Sequence, residues 1–141
     1  MPYSTRSDVE SIYGKRNVEQ WADLDNTADE AVIASRIEEA ILDADDLIDS
    51  ELRPALFALP VVDPAGQTPR LIRRLSAMQA GIVLYEARGS QDVSEETGQP
   101  IHRYVARARY VLQSLAKLIT GELDIEAVRT AGPAPVIVDD A

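Results

Sequence analysis

The chain has 141 residues, 45% of them hydrophobic, which suits one domain around one core. It contains no cysteine, so disulfides, thiolate nucleophiles and zinc–thiolate sites are excluded, and no window approaches the run of about 18 apolar residues that a membrane span needs. Net charge is −10 and uneven: −10 over residues 1–63, +4 over 64–117 and −4 over 118–141, a split that fits either faces complementing each other within the monomer or head-to-tail contact between copies.

Met1-Pro2-Tyr3-Ser4 has neither a basic start nor an apolar run, so no signal peptide is expected. A short helix starts near Thr5, a capping residue, with Asp8 favouring the positive helix end. Val9, Ile12 and Tyr13 give it an apolar side and Gly14 ends it. Asn17 is placed to cap a second short turn whose Val18 and Trp21 face inward, and Asp23 to Thr27 reads as a polar loop.

The first long element runs from about Ala28 to Leu52, with Thr27 and Glu30 fitting a capping box. Ile33, Ile37, Ile41, Ala44, Ile48 and Leu52 recur three or four residues apart and form one stripe. Glu38, Glu39, Asp43, Asp45, Asp46 and Asp49 are expected on the opposite face. Pro54 blocks continuation, and a loop with Phe57, Leu59 and Pro60 follows.

The next helix opens at Thr68-Pro69, a cap followed by proline at the first helical position. Its stripe is Leu71, Ile72, Leu75, Met78, Ile82 and Tyr85, and Gly89 is a natural stop. Residues 90–99 read as a polar linker. The last helix opens near Pro100, and Gly121 stops it. Ile101, Tyr104, Val105, Ala108 and Val111 begin its stripe, and Leu112, Leu115, Leu118 and Ile119 complete it. Three helices of about twenty residues, each roughly 30 Å long, with short N-terminal helices as a lid, predict an all-α fold, a small helical bundle over residues 1–121. An extended C-terminal arm covers residues 122–141. Ala131-Gly132-Pro133-Ala134-Pro135 cannot be helical, and Val136, Ile137 and Val138 form a β-prone patch, which fits either a frayed end or an arm that docks on a partner.

Catalytic constellations are not evident, so no catalytic, cofactor-binding or metal residue is assigned. His102 is the one histidine and reads as an exposed helix-start residue. Gly14-Lys15 lacks the remainder of a phosphate loop. Asp43, Asp45 and Asp49 echo a calcium loop, but Ile48 stands where the glycine belongs and Leu47 where a ligand belongs. Asp49-Ser50 echoes an acyl carrier protein, but Glu51 follows where that family has leucine. A small acidic binding module or carrier is therefore the alternative reading. Arg70, Arg73, Arg74, Arg103 and Arg107 have no interleaved aromatics for stacking on bases, and they suit salt bridges to the acidic helix of an adjacent copy better.

The order of these features resembles the head–tail connector, or head-completion adaptor, proteins of tailed double-stranded DNA phages, in particular the Mu-type branch. The likeness is carried by Tyr3-Ser4-Thr5 with Asp8-Val9 and Tyr13-Gly14, and by Trp21-Ala22-Asp23. It continues in Ala40, Ala44, Ile48-Asp49-Ser50 and Leu52, and in Phe57-Ala58-Leu59-Pro60-Val61. Pro69, Leu71-Ile72, Ala80 and Leu84-Tyr85 extend it, followed by Tyr104, Ala108, Leu112 and Gly121. It covers about residues 1–125; Pro54 and Leu56 depart from the pattern. The resemblance implies a non-enzymatic virion protein without a cofactor, made in the host cytoplasm and placed at the head–tail junction. It would form a homo-oligomeric ring, commonly twelvefold, under the portal protein. It would also extend the channel for double-stranded DNA, which passes without sequence readout, and dock a tail-side stopper or tail terminator protein. No membrane is involved. Glu38, Asp45 and Asp49 are the expected channel-facing residues. The arginines above are the expected subunit contacts, and Val136, Ile137 and Val138 the expected docking arm.

Overall fold

The structure, a computed structural model, describes residues 2–55, 57–88, 92–93, 100–101 and 104–129. Leu56, Gly89, most of the 90–99 linker, His102, Arg103 and the arm Val136, Ile137 and Val138 lie outside the described residues. The described elements are α1 (Arg6–Tyr13), α2 (Lys15–Ala22), α3 (Glu30–Leu52), α4 (Arg70–Ala87) and α5 (Val105–Thr120). A two-residue ladder pairs β1 (Asp92–Val93) with β2 (Pro100–Ile101), antiparallel. The fold is all-α. α3 and α4 form the most extensive pair, α5 packs on both, and α1 lies on α4 with α2 against α3 and α4.

Helix ends follow local chemistry. Thr5 caps α1 reciprocally: Asp8 N donates to Thr5 Oγ1 at 3.3 Å and Thr5 N donates to Asp8 Oδ2 at 2.9 Å. Gly14, at φ 92°, ends α1 and opens α2 at once, a conformation that a side chain would resist. Asn17 is not the expected cap. It lies inside α2, and its Nδ2 donates to Tyr13 O at 2.9 Å, satisfying a carbonyl at the end of α1. Thr27 does not cap α3 either. Its amide, with that of Ala28, donates to the Asp23 carboxylate, and Asn26 and Ala28 turn the chain at positive φ. Asp29 is left as the cap, accepting from Ala31 N and Val32 N. α4 begins one residue later than expected, with Pro69 as its N-cap and no side-chain capping bond. α5 begins at Val105 instead of near Pro100, because Pro100 and Ile101 are drawn into the ladder with Asp92 and Val93.

The α3 stripe is buried throughout, from Ile33 to Leu52. Its first half meets α1, α2 and α4 around Tyr13 and Trp21. Its end, Ile48 and Leu52, meets Phe57, Leu75, Val111 and Leu115. The α4 stripe is buried except for the half-buried Leu71. The α5 stripe is narrower than expected: Val111, Leu115 and Leu118 are buried, but Val105, Leu112 and Ile119 are 49%, 45% and 38% exposed. After Gly121 (φ 85°) the chain leaves the helical pattern and returns along the loop after α3. Ala58 N donates to Val128 O at 2.9 Å, and Val128 N donates to Val62 O at 2.8 Å. The Arg129 guanidinium sits 4.5 Å over the Phe57 ring. The arm is therefore pinned to its own protomer as far as Arg129.

Two contacts place the N-terminal helices. Arg6 reaches Glu10, Glu19 and Glu30 at 3.0, 2.7 and 2.6 Å, tying α1, α2 and α3 together. Its carboxylate partners, Glu30 foremost, hold the guanidinium above its ordinary pKa. Tyr13 lies directly over Gly81 of α4, and its hydroxyl donates to Met78 O at 2.5 Å. A Cβ at position 81 would fall inside the van der Waals envelope of the Tyr13 ring, and that ring is held by its hydrogen bond and by edge contacts with Trp21 and Tyr104. Gly81→Ala is expected to cost about 2–3 kcal/mol through overpacking, read as a lower urea midpoint at unchanged slope. A midpoint equal to that of the unsubstituted chain would show that α1 can shift at no cost.

Candidate interaction surfaces

A buried polar knot joins the N-terminus to α3, α4 and the following loop. Asp45, 8% exposed, accepts from Tyr3 N at 2.9 Å and from Ser76 Oγ at 2.6 Å. Ser4 Oγ lies 2.7 Å from Ser76 Oγ and donates to it, since the Ser76 proton is committed to Asp45. The Tyr3 hydroxyl donates to Asp49 and accepts from Val61 N at 2.8 Å. Asp45 is thus a core residue, correcting its expected place on the outer acidic face and in a channel wall. Burial pushes its carboxyl above the ordinary carboxylate range, and the bonds from Ser76 and Tyr3 partly offset that push. Burial, and then the bond to Asp49, likewise raise the Tyr3 phenol.

A second cluster is aromatic, buried but for the half-buried Tyr104. Tyr13, Trp21, Tyr85 and Tyr104 meet edge to face, with ring centroids 5.0–5.6 Å apart. The Arg107 guanidinium lies 4.8 Å from the Tyr13 centroid and 5.4 Å from that of Tyr104. Arg107 is therefore engaged within the protomer, over one ring of α1 and one at the start of its own helix. Burial pushes the Tyr13 phenol up to about 12, against the lowering influence of Arg107.

The remaining charges are sorted outward. Glu38, Glu39, Asp43 and Asp46 of α3 are exposed and have no ion-pair partner among the described residues. Asp49 is half-buried and tied to Tyr3. Leu42, 53% exposed, stands among the α3 acids. Arg70, Arg73 and Arg74 crowd the start of α4, exposed and likewise without a partner among the described residues. On α5, Val105, Leu112 and Ile119 lie seven residues apart and leave an apolar row open to solvent. In the 57–60 loop Phe57 is buried while Leu59 and Pro60 are exposed. Ser50 is exposed inside the last turns of α3. Among the described residues no group of acids and histidines is arranged to hold a metal ion, and no helix is long and apolar enough to cross a membrane.

Fold and surfaces together define a small helical protein whose outer faces carry charge that is unpaired among the described residues and an exposed apolar row. The comparison with known families is specific: the family described as Bacteriophage Mu, Gp36 matches residues 3–136, and the chain belongs to that family. It is a phage protein. The match continues past Ile125, where the resemblance had ended, and takes in the first residue of the Val136–Val138 patch. No curated protein matches the chain.

The polar knot has a pH signature. The folded Asp45 carboxyl keeps its proton to higher pH than the unfolded one, so between the two pKa values the native state binds more protons. Stability therefore falls as pH rises through that window and is greatest below it. Asp45→Asn removes this slope, so its stability relative to the unsubstituted chain should improve between pH 4 and pH 7. A constant difference would show that the Asp45 carboxyl is not perturbed. Asp45→Leu strands the Tyr3 and Ser76 donors and should cost about 2–4 kcal/mol in urea unfolding at any pH in this range.

Proposed function

We propose that this protein is a structural, non-enzymatic component of the virion, a head–tail connector. Copies of it would form a ring beneath the portal protein, extend the channel for double-stranded DNA and carry a docking surface for a tail-side stopper or terminator. The observation that carries this reading is the sorting of the surface. A phage protein of this size leaves an apolar row on α5, and acids on α3 and arginines on α4 that are unpaired among the described residues, which suits contact with partners. Unlike faces on one protomer suit a heterologous contact, and a heterologous contact that closes is a ring. The exposed loop tip Leu59-Pro60 and the arm Val136, Ile137 and Val138 are the surfaces for portal and tail components.

A channel wall in this reading must let the duplex slide. A chain of net charge −10 repels phosphates weakly along the bore. Of the three acids expected there, Glu38 is the exposed one and carries the assignment; Asp49 contributes from its half-buried place beside Tyr3.

Cryo-electron microscopy of the particle vertex tests the reading. The expected result is a closed annulus of this chain between portal and tail; a vertex without it overturns the connector assignment. Glu38→Lys should leave that annulus intact and slow genome ejection, and ejection at the unsubstituted rate would remove Glu38 from the channel.

A further inference from the structure

The start of α4 is electrostatically unsatisfied among the described residues. Arg70, Arg73 and Arg74 stand three and four residues apart, where like charges repel. They sit at the positive end of an 18-residue helix whose first turn holds no acid and whose cap, Pro69, offers no side-chain bond. They rim a hollow of about 320 Å³ between α1 and α4 that is floored by Ile12 and Ala77. Its one acid, Asp8, is already committed to the Thr5 amide.

The outer face of α3 is the inverse. Glu39, Asp43 and Asp46 repel one another at helical spacing. The one base on α3, Arg36, is turned to Asp25 and to Ala22 O. Leu42 projects from among these acids, 53% exposed. One surface is thus a hollow with Ile12 at its floor and cations at its rim, and the other an apolar knob ringed by anions. They do not meet within one protomer: α3 packs on α4 through its buried stripe, and Glu39 and Asp43 adjoin Val83, Leu84 and Ala87 at the end of α4, away from the arginines at its start.

We infer that the α3 face of one copy docks on the α4 start of the next. Leu42 seats against Ile12 and Ala77, and Glu39, Asp43 and Asp46 meet Arg70, Arg73 and Arg74. The inference rests on the ring reading and names the contact that propagates it. Each face relieves its own repulsion by meeting the other, and since the two faces differ the contact is heterologous. Phosphate of passing DNA is the other anion that three arginines could take, but it leaves the acidic face and its leucine uncovered.

The absence of native cysteine allows a direct test in assembled particles. Ser11 is exposed and lines the hollow, so particles carrying Ser11→Cys and Leu42→Cys together should, on mild oxidation, give a ladder of linked copies. Either single substitution should give none. Arg73→Glu with Arg74→Glu should reduce the ladder about tenfold or more, and adding Glu39→Lys with Asp46→Lys should restore it. A visible annulus without a ladder overturns this contact and leaves the ring standing, whereas particles without an annulus overturn both. Loss of DNA binding in Arg73→Glu particles whose ladder is unchanged assigns the arginines to phosphate and overturns the inference.

Discussion

The carboxylate of Asp45 is the constraint on which the rest depends. It holds the N-terminal segment at Tyr3 and α4 at Ser76, and the Tyr3 side chain extends the tie to Asp49 and to the backbone of Val61. Two donors on one buried carboxylate fix the rotation of α3 about its axis. That rotation decides which acids go inward and which outward. Turned by one residue position, the helix would bury a second carboxylate without donors, at a cost of several kcal/mol. As folded, one acid is desolvated and bonded while Glu39, Asp43 and Asp46 stay in water.

The same logic governs the cations. Arg107 covers two aromatic rings and Arg6 gathers three carboxylates, so both serve the protomer. The α4 arginines have no such use. Likewise the apolar side of α5 divides into a buried row, Val111, Leu115 and Leu118, and an open one, Val105, Leu112 and Ile119. What remains after the protomer satisfies itself is a set of separate, chemically distinct patches.

Much of the fold was legible because it rests on periodicity and local capping. The α3 and α4 stripes, the Thr5 cap, and the stops at Gly14 and Gly121 all follow from spacing and glycine stereochemistry. Residues whose roles depend on distant partners were not legible. Asp45 lies four residues after Ile41 and seven before Leu52, so its place in the buried row was a readable signal, overridden by its charge. Tyr3 and Ser76, the donors that make that burial tolerable, are 42 and 31 residues away from it. Arg107 looked like a free cation because one of the rings that hold it, Tyr13, comes from the distant α1, although the other, Tyr104, caps its own helix. The start of α5 was misplaced for the same reason, since the ladder that takes Pro100 and Ile101 is a tertiary event. Of the candidate surface, composition revealed the opposed charges, but the exposed row on α5 and the Leu42 knob emerged only once burial was known.

The central claim is that the apolar and charged residues left outside the protomer are reserved for neighbours in the particle. Hydroxyl-radical footprinting of the free chain against the assembled particle tests it most directly, because it reads side-chain exposure residue by residue. Leu42, Leu112 and Ile119 should react in the free chain and be protected in the particle, while Trp21 and Tyr85 stay unreactive in both. Equal reactivity of Leu42, Leu112 and Ile119 in the two states would contradict it.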